Sequence, residues 1–180
     1  MTAGKGPAAP RVQIVHLTGP VFRALADGDL VTANRMCPVP LTAWFAGPDP
    51  ASVWRRRSVQ VAADPASAAW VTGIIWDADR GVAVGRAGFH GPPDAGGMVE
   101  IGYAVVPDHQ RRGYARAALA SLLERAVRDP AVRTARVSIS PDNAVSTRLA
   151  VSCGFARIGE QVDEEDGLEF VYELDVSSLG

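Results

Sequence analysis

The sequence predicts one α/β domain built on a single mixed, mostly antiparallel central sheet flanked by helices, and three observations carry that expectation. The middle of the chain holds three consecutive segments rich in β-branched and aromatic residues, parted by Asp-, Gly- and Pro-rich turns at 77–81 and 91–97, the pattern of an antiparallel meander. Beyond it the apolar period switches to that of a helix and then back, so strands and helices alternate as a parallel crossover requires. The length of 180 residues suffices for one core without disulfides or metals, and 47% hydrophobic with 21% charged residues is a globular composition. A meander followed by an alternating half argues for one mixed sheet and against a doubly wound one.

The elements follow in order. The first ten residues, with Gly4, Gly6, Pro7 and Pro10, read as a flexible tail, which leaves 11–180 for the domain. Val12 and Ile14 mark a first strand. Thr18 or Gly19 caps a helix with Pro20 at its first position and Gly28 at its end, and Asp29 caps a second helix running to about Met36. Pro38, Pro40, Gly47, Pro48 and Pro50 then break regular structure around Trp44 and Phe45, predicting an exposed aromatic loop. Asp49 and Pro50 open a third helix that carries Trp54 and Val61 and stops before Pro65. Its Arg55, Arg56 and Arg57 are expected on a solvated face. Strands are predicted over 69–76, 82–89 and 98–106, a helix over 113–128, a strand over 136–140 and a helix over 143–153 ended by Gly154. A closing hairpin is expected over 155–162 and 168–176.

Charge and composition exclude several classes of function. Eighteen Lys and Arg stand against twenty Asp and Glu, a net charge of −2 that lacks the basic field of a nucleic-acid binder. No signal-peptide core opens the sequence and no stretch approaches the ~18 apolar residues of a membrane span, so a cytoplasmic protein with no membrane partner is expected. Cys37 and Cys153 lie far apart without CxxC spacing, and His90 and His109 have no ligand partner at helical or hairpin spacing. These residues predict no metal site, and the two histidines are expected to be structural or superficial.

Chemistry concentrates between Glu100 and Arg116. There a strand, Glu100-Ile101-Gly102-Tyr103-Ala104-Val105-Val106-Pro107, runs through Asp108-His109 into Gln110-Arg111-Arg112-Gly113-Tyr114-Ala115-Arg116 at a helix start. A glycine-containing turn at a helix N-terminus leaves several unpaired N–H groups and the positive end of the dipole facing one point, which makes an anion site. Arg111, Arg112 and Arg116 add attraction, and a pyrophosphate is the natural occupant. Neither G-x-x-x-x-G-K-[ST] nor G-x-G-x-x-G with a later acidic residue is present.

These residues resemble the GNAT superfamily of N-acetyltransferases, whose cofactor loop reads Gln/Arg-x-x-Gly-x-Gly/Ala and follows a strand ending in an apolar-apolar-Pro step. Gln110, Gly113 and Ala115 match its fixed positions. Asn143-Ala144-Val145-Ser146 and Gly154-Phe155 resemble the family's second motif, so the likeness spans about 98–155. Glu100-Ile101-Gly102-Tyr103 and Asn143 to Ser146 look closest to the ribosomal-protein-modifying, Rim-type branch.

The resemblance implies an acyl-CoA N-acyltransferase fold, acetyl-CoA as acetyl donor and a primary amine acceptor, either a small molecule or a protein N-terminus. It assigns thioester and pantetheine contacts to the backbone near Val105 and Val106, and pyrophosphate contacts to Gln110, Arg111, Arg112, Gly113, Tyr114, Ala115 and Arg116. Asn143 and Ser146 would border the pantetheine arm. Glu100 is the candidate general base. Where many members carry a tyrosine that protonates the leaving thiolate, this chain has Ala150, for which Ser146, Tyr103 or water would substitute. A catalytically inactive acyl-CoA-sensing domain is the competing reading, with Ala150 its best support. The acceptor is expected to enter under the loop bearing Trp44 and Phe45. Glu160, Asp163, Glu164, Glu165, Asp166 and Glu169, near the closing hairpin, suggest a cationic acceptor, with a solvated turn as the alternative. The sequence leaves a homodimer open.

Overall fold

A computed structural model describes residues 9–179, so most of the expected tail lies outside the described residues. Seven strands form one sheet: β1 (Gln13–Val15), β2 (Gly73–Asp77), β3 (Val82–Phe89), β4 (Met98–Val105), β5 (Thr134–Ile139), β6 (Ala156–Asp163) and β7 (Gly167–Asp175). Their order across the sheet is β1-β2-β3-β4-β5-β7-β6. Every pairing is antiparallel except β4 with β5, the two strands joined by the crossover helix α4 (Tyr114–Arg128). The mixed, mostly antiparallel sheet expected from the sequence is the sheet observed.

Helices cover both faces. One core forms where α4 lays Tyr114, Ala118, Leu119, Leu122, Leu123 and Ala126 on Ile75, Phe89, Val99 and Ile101, with Ala150 of α5 (Ala144–Ser152) joining it. The other is made by α1 (Gly19–Ala26), α2 (Leu30–Met36) and α3 (Pro48–Ala63), which bury Phe22, Leu25 and Trp54 against Ile74, Ala83 and Val106. No helix among the described residues is long and apolar enough to cross a membrane.

Three local expectations are corrected. Trp44 and Phe45 lie in a 3-10 turn, Ala43–Ala46, and Phe45 is fully buried. The Trp54 indole also needs an acceptor once buried, and it donates to the Phe45 carbonyl at 2.7 Å, drawing the segment inward. Helix α3 starts two residues earlier than predicted, with Gly47 before it and Pro48 at its first position. Residues Pro65–Ala69 form another 3-10 turn, begun by the Asp64 side chain accepting from the Ala66 amide, so β2 begins only at Gly73.

A β-bulge decides which side chains reach the site. Ile75 pairs with Gly85 and Trp76 with Ala83, so Val84 is an extra residue on β3. Val84 itself faces the α4 core, and beyond the bulge Ala87 and Phe89 do. Without the extra residue Arg86 would alternate into that core; with it, Arg86 points to the α3 side.

The helix start that carries the loop motif is anchored from below. The Tyr114 hydroxyl donates to Asp77 Oδ2 at 2.7 Å, and Arg80 Nη1 approaches the same oxygen at 2.9 Å. Burial would raise the Asp77 pKa, but the bonds from Tyr114 and Arg80 outweigh it and hold the carboxyl below its usual value. A carboxyl depressed in the fold contributes stability above its unfolded pKa of ~3.9 and loses it as pH falls through the folded value. Tyr114→Phe is therefore expected to cost about 1.5–3 kcal/mol at neutral pH, the worth of a bond to a charged group. It should also flatten the loss of stability below pH ~4. Urea denaturation across that range checks both; an unchanged acid limb would mean that Asp77 does not depend on this bond.

Candidate active site

The site begins where β4 and β5 part. They pair only at Met98–Thr134, Val99–Ala135 and Glu100–Arg136, after which β5 continues with β7 alone. The His90 amide donates to the Glu100 carbonyl at 2.7 Å and the Val106 amide to the Val84 carbonyl at 2.9 Å. These two bonds fix the alternation: even-numbered β4 residues bond to β3, and Ile101, Tyr103 and Val105 turn their backbone groups toward the gap. The β4 edge thus offers free N–H donors beside Val105, whereas the Val106 amide is already engaged. This corrects the expectation that Val106 would share that role.

Strand β4 leads through a short 3-10 turn, Pro107–His109, into the loop. Arg111 (φ +58°) and Gly113 (φ +85°) both occupy the left-handed region, and alternation of this kind curls successive amides into a concave nest. Among the described residues, the amides of 111–116 make no backbone hydrogen bond, so six consecutive donors stand at the positive end of α4. The Gln110 side chain is used as a staple, donating to the Val105 carbonyl at 3.1 Å. Tyr114 offers only its backbone, since its ring is buried and its hydroxyl taken by Asp77. Arg116 reaches across to Ser152 Oγ at 2.8 Å and ties α4 to α5. A depression of about 990 Å³ borders the loop, lined by Arg80, Arg111, Arg112 and Arg116, with Pro10 packed near Gly113. Six free amides and the guanidinium groups that line this depression fit a polyphosphate.

A second cavity, of about 610 Å³, opens between α3, the β4–β5 gap and the β6–β7 turn. Glu100 lies in its wall, accepting from Ser138 Oγ at 2.6 Å, with His90 Nδ1 3.7 Å from its other oxygen. Burial drives the His90 pKa down, Glu100 opposing, which favours the neutral imidazole. Gly102 makes room for that ring: a Cβ there would stand 2.9 Å from His90 Nε2. Asn143 caps α5, its side chain accepting from the Ser146 amide at 3.0 Å, and both residues line the cavity. Tyr103 lines it too. Its hydroxyl is buried without a hydrogen-bond partner among the described residues, and burial raises its pKa while neighbouring Ser146 works against the shift.

The lining departs from the sequence-based picture in four ways. Trp44 and Phe45 do not line the cavity; Asp49, Ser52, Val53, Arg56 and Arg57 of α3 do. Arg57, expected on a solvated face, is 4% exposed. Its position three residues after buried Trp54 is the helical signal that would have placed it inward. Burial pushes its guanidinium down to about 10. His90, expected to be structural or superficial, stands beside Glu100. Of the six hairpin acids only Asp163, Asp166 and Glu169 reach the cavity. Glu165 pairs with Arg56 at 2.6 Å and Glu160 with Arg157 at 3.3 Å, while Asp163 also accepts from the amides of Glu165 and Asp166 to shape the turn.

A strand edge freed by a splay runs into an amide-lined loop at a helix start, an arrangement in keeping with the acetyltransferase class. Residues 21–156 match the family described as the acetyltransferase (GNAT) domain, and the chain belongs to that family. It is 35% identical over 82 residues to the uncharacterized N-acetyltransferase YjdG of Bacillus subtilis, an overlap of 46% of this chain and 49% of that protein. The chain spans about half the length of the curated relatives it matches. Among solved structures, a spermidine N-acetyltransferase SpeG chimera from Vibrio cholerae and hSSAT superposes with a TM-score of 0.66 at 16% identity, over 93% of this chain and 97% of the other. The ribosomal-protein-S5-alanine acetyltransferase of Vibrio fischeri gives 0.64 at 13% identity, over 94% and 96%. At such identities the likeness is one of fold.

Proposed function

We propose that the protein transfers the acetyl group of acetyl-CoA to a primary amine by direct attack within a ternary complex. The observation that carries this reading is the continuity of the free β4 edge with the amide nest on one side and with the Glu100 cavity on the other. A pyrophosphate held at 111–116 directs the pantetheine arm along Ile101, Tyr103 and Val105, and the thioester comes to lie where the cavity opens through the sheet. The amine lone pair attacks the thioester carbonyl; the C–N bond forms and the C–S bond breaks. Free N–H groups of the β4 edge receive the developing oxyanion, each such donor being worth about 2.7–4 kcal/mol. Glu100 accepts the amine proton.

The leaving thiolate, of pKa ~8.5, needs little help, and the buried Tyr103 hydroxyl is the donor best placed to supply it. Tyr103 thereby takes the role left open at Ala150, which is wholly buried in the α4 core. Acetyl-CoA at a hundredfold excess over Kd should stabilise the protein by about 2.7 kcal/mol. An amine screen should then release CoA thiol, with Tyr103→Phe lowering kcat but not acetyl-CoA affinity. An unchanged melting temperature would remove the cofactor site. Stabilisation without thiol release from any amine would favour the sensing alternative.

A further inference from the structure

We propose that the acceptor is a zwitterion, an amine that also carries a carboxylate, and that Arg86 and Arg57 form the subsite for the carboxylate. This rests on the acetyltransferase reading and names its substrate class. Both guanidinium groups line the cavity that holds Glu100. Arg86 Nε is wholly removed from solvent, and among the described residues the Arg86 side chain makes no hydrogen bond and no ion pair. Arg57 is buried and bonds only neutral acceptors: Thr72 Oγ1 at 3.3 Å, Gln60 Oε1 at 2.8 Å and the His90 carbonyl at 3.1 Å.

Arg57 is buried, and Arg86 is half-buried with its Nε wholly covered. Among the described residues neither has a carboxylate within ion-pair distance; Asp166 near Arg86 and Glu100 near Arg57 only partly offset the cost of burial, so packing the site with apolar side chains would be more stable. The chain nevertheless directs Arg86 into the cavity through the β3 bulge, away from the core that plain strand alternation would give it. A planar guanidinium with unused donors suits bidentate recognition of a carboxylate. The amine has its own place in the same chamber, beside Glu100, with Asp163, Asp166 and Glu169 on the hairpin wall. Arg56 differs, since Glu165 already neutralises it. A polycation would meet Arg57 and Arg86 unfavourably, so the hairpin acids orient one amine within a bipolar chamber.

The test compares acceptors that differ only in the carboxylate: alanine with ethylamine, 4-aminobutyrate with propylamine, and lysine with cadaverine, in wild type and Arg86→Gln. Wild type should favour the carboxylated member of at least one pair by tenfold or more in kcat/KM, and the variant should bring that ratio close to one. Equal turnover within every pair would overturn the zwitterion proposal while leaving acetyl transfer standing. A preference confined to phosphoethanolamine over ethanolamine would overturn the carboxylate assignment in favour of phosphate.

If no amine releases CoA, the acetyl-transfer reading fails for this panel and the anion subsite is read by binding. N-acetylalanine should then raise the melting temperature in the presence of CoA more than N-ethylacetamide does, and the difference should vanish in Arg86→Gln; equal shifts overturn the proposal. Arg86→Met separates binding from structure. A ligand-binding cation held at a cost to the fold predicts a melting temperature at or above wild type, whereas a drop assigns Arg86 a structural role and overturns the subsite.

Discussion

Gly113→Val is expected to abolish measurable acetyl-CoA binding while leaving a folded protein. Gly113 is exposed and sits at φ +85°, ψ 1°, a conformation that costs an L-residue roughly 1–2 kcal/mol and a β-branched one more. Its ideal Cβ would also stand 3.2 Å from Pro10 Cδ, so the added side chain has little room on that side. The variant relieves the strain by moving the backbone, and that rotates the amides of 111–116 out of their common focus. Binding should fall at least a hundredfold, taking with it the ~2.7 kcal/mol of stabilisation that saturating cofactor supplies. Gly113→Ala, with less bulk at the same φ, should fall between the two. Circular dichroism establishes folding and calorimetry the affinity; a folded Gly113→Val that binds acetyl-CoA like wild type would move the phosphate site away from this loop.

The site was legible where one stretch of chain carries its own geometry. Gly113 followed by an amphipathic helix, and Asn143 followed three residues later by Ser146, are local signals, and the structure places a left-handed turn at the first and an N-cap at the second. Strand 82–89 and helix 113–128 were equally readable from their periods. What escaped depends on contacts distant in sequence. Trp44 and Phe45 looked exposed among prolines, and only the buried Trp54 indole, nine residues on, draws them inward. Arg57 looked like part of a charged run because the acceptors of its hydrogen bonds, Thr72 Oγ1 and the His90 carbonyl, lie far along the chain. The one local hint of the bulge at Val84 is Gly85 inside the strand, which signals a bulge or a close backbone approach without saying which, yet the bulge alone decides the face to which Arg86 turns. The acidic run 163–166 predicts a turn well and its ligand poorly, since the same Asp163 serves both the turn amides and the cavity wall.

Glu100→Gln is expected to lower kcat/KM by about 10²–10⁴ at neutral pH, the range for loss of a positioned base. Glutamine keeps the length of the side chain and can still accept from Ser138 Oγ, now 2.6 Å from the carboxylate, so the cavity wall should hold its shape. It cannot take a proton. The acceptor amine enters the reaction protonated below its own pKa, about 10.4 for a lysine-like amine and about 7.7–8 for the α-amine of a peptide. As pH rises through that value the free amine reaches the site already deprotonated, and the disadvantage of the variant should shrink. The pH at which variant and wild type draw together therefore reports the class of amine: near 8 for a peptide α-amine, above 10 for a terminal alkyl amine, and between the two for a free amino acid, whose own carboxylate holds the ammonium proton more tightly than a peptide carbonyl does. His90 provides an internal control, because burial favours its neutral form and leaves it able to relay a proton from the amine to Glu100. His90→Asn should cost less than Glu100→Gln if the carboxylate is the terminal acceptor, and as much if the proton must pass through the imidazole. A Glu100→Gln loss of the same size at every pH, with a raised acceptor KM and an unchanged kcat, would place Glu100 in amine binding and remove it from proton transfer.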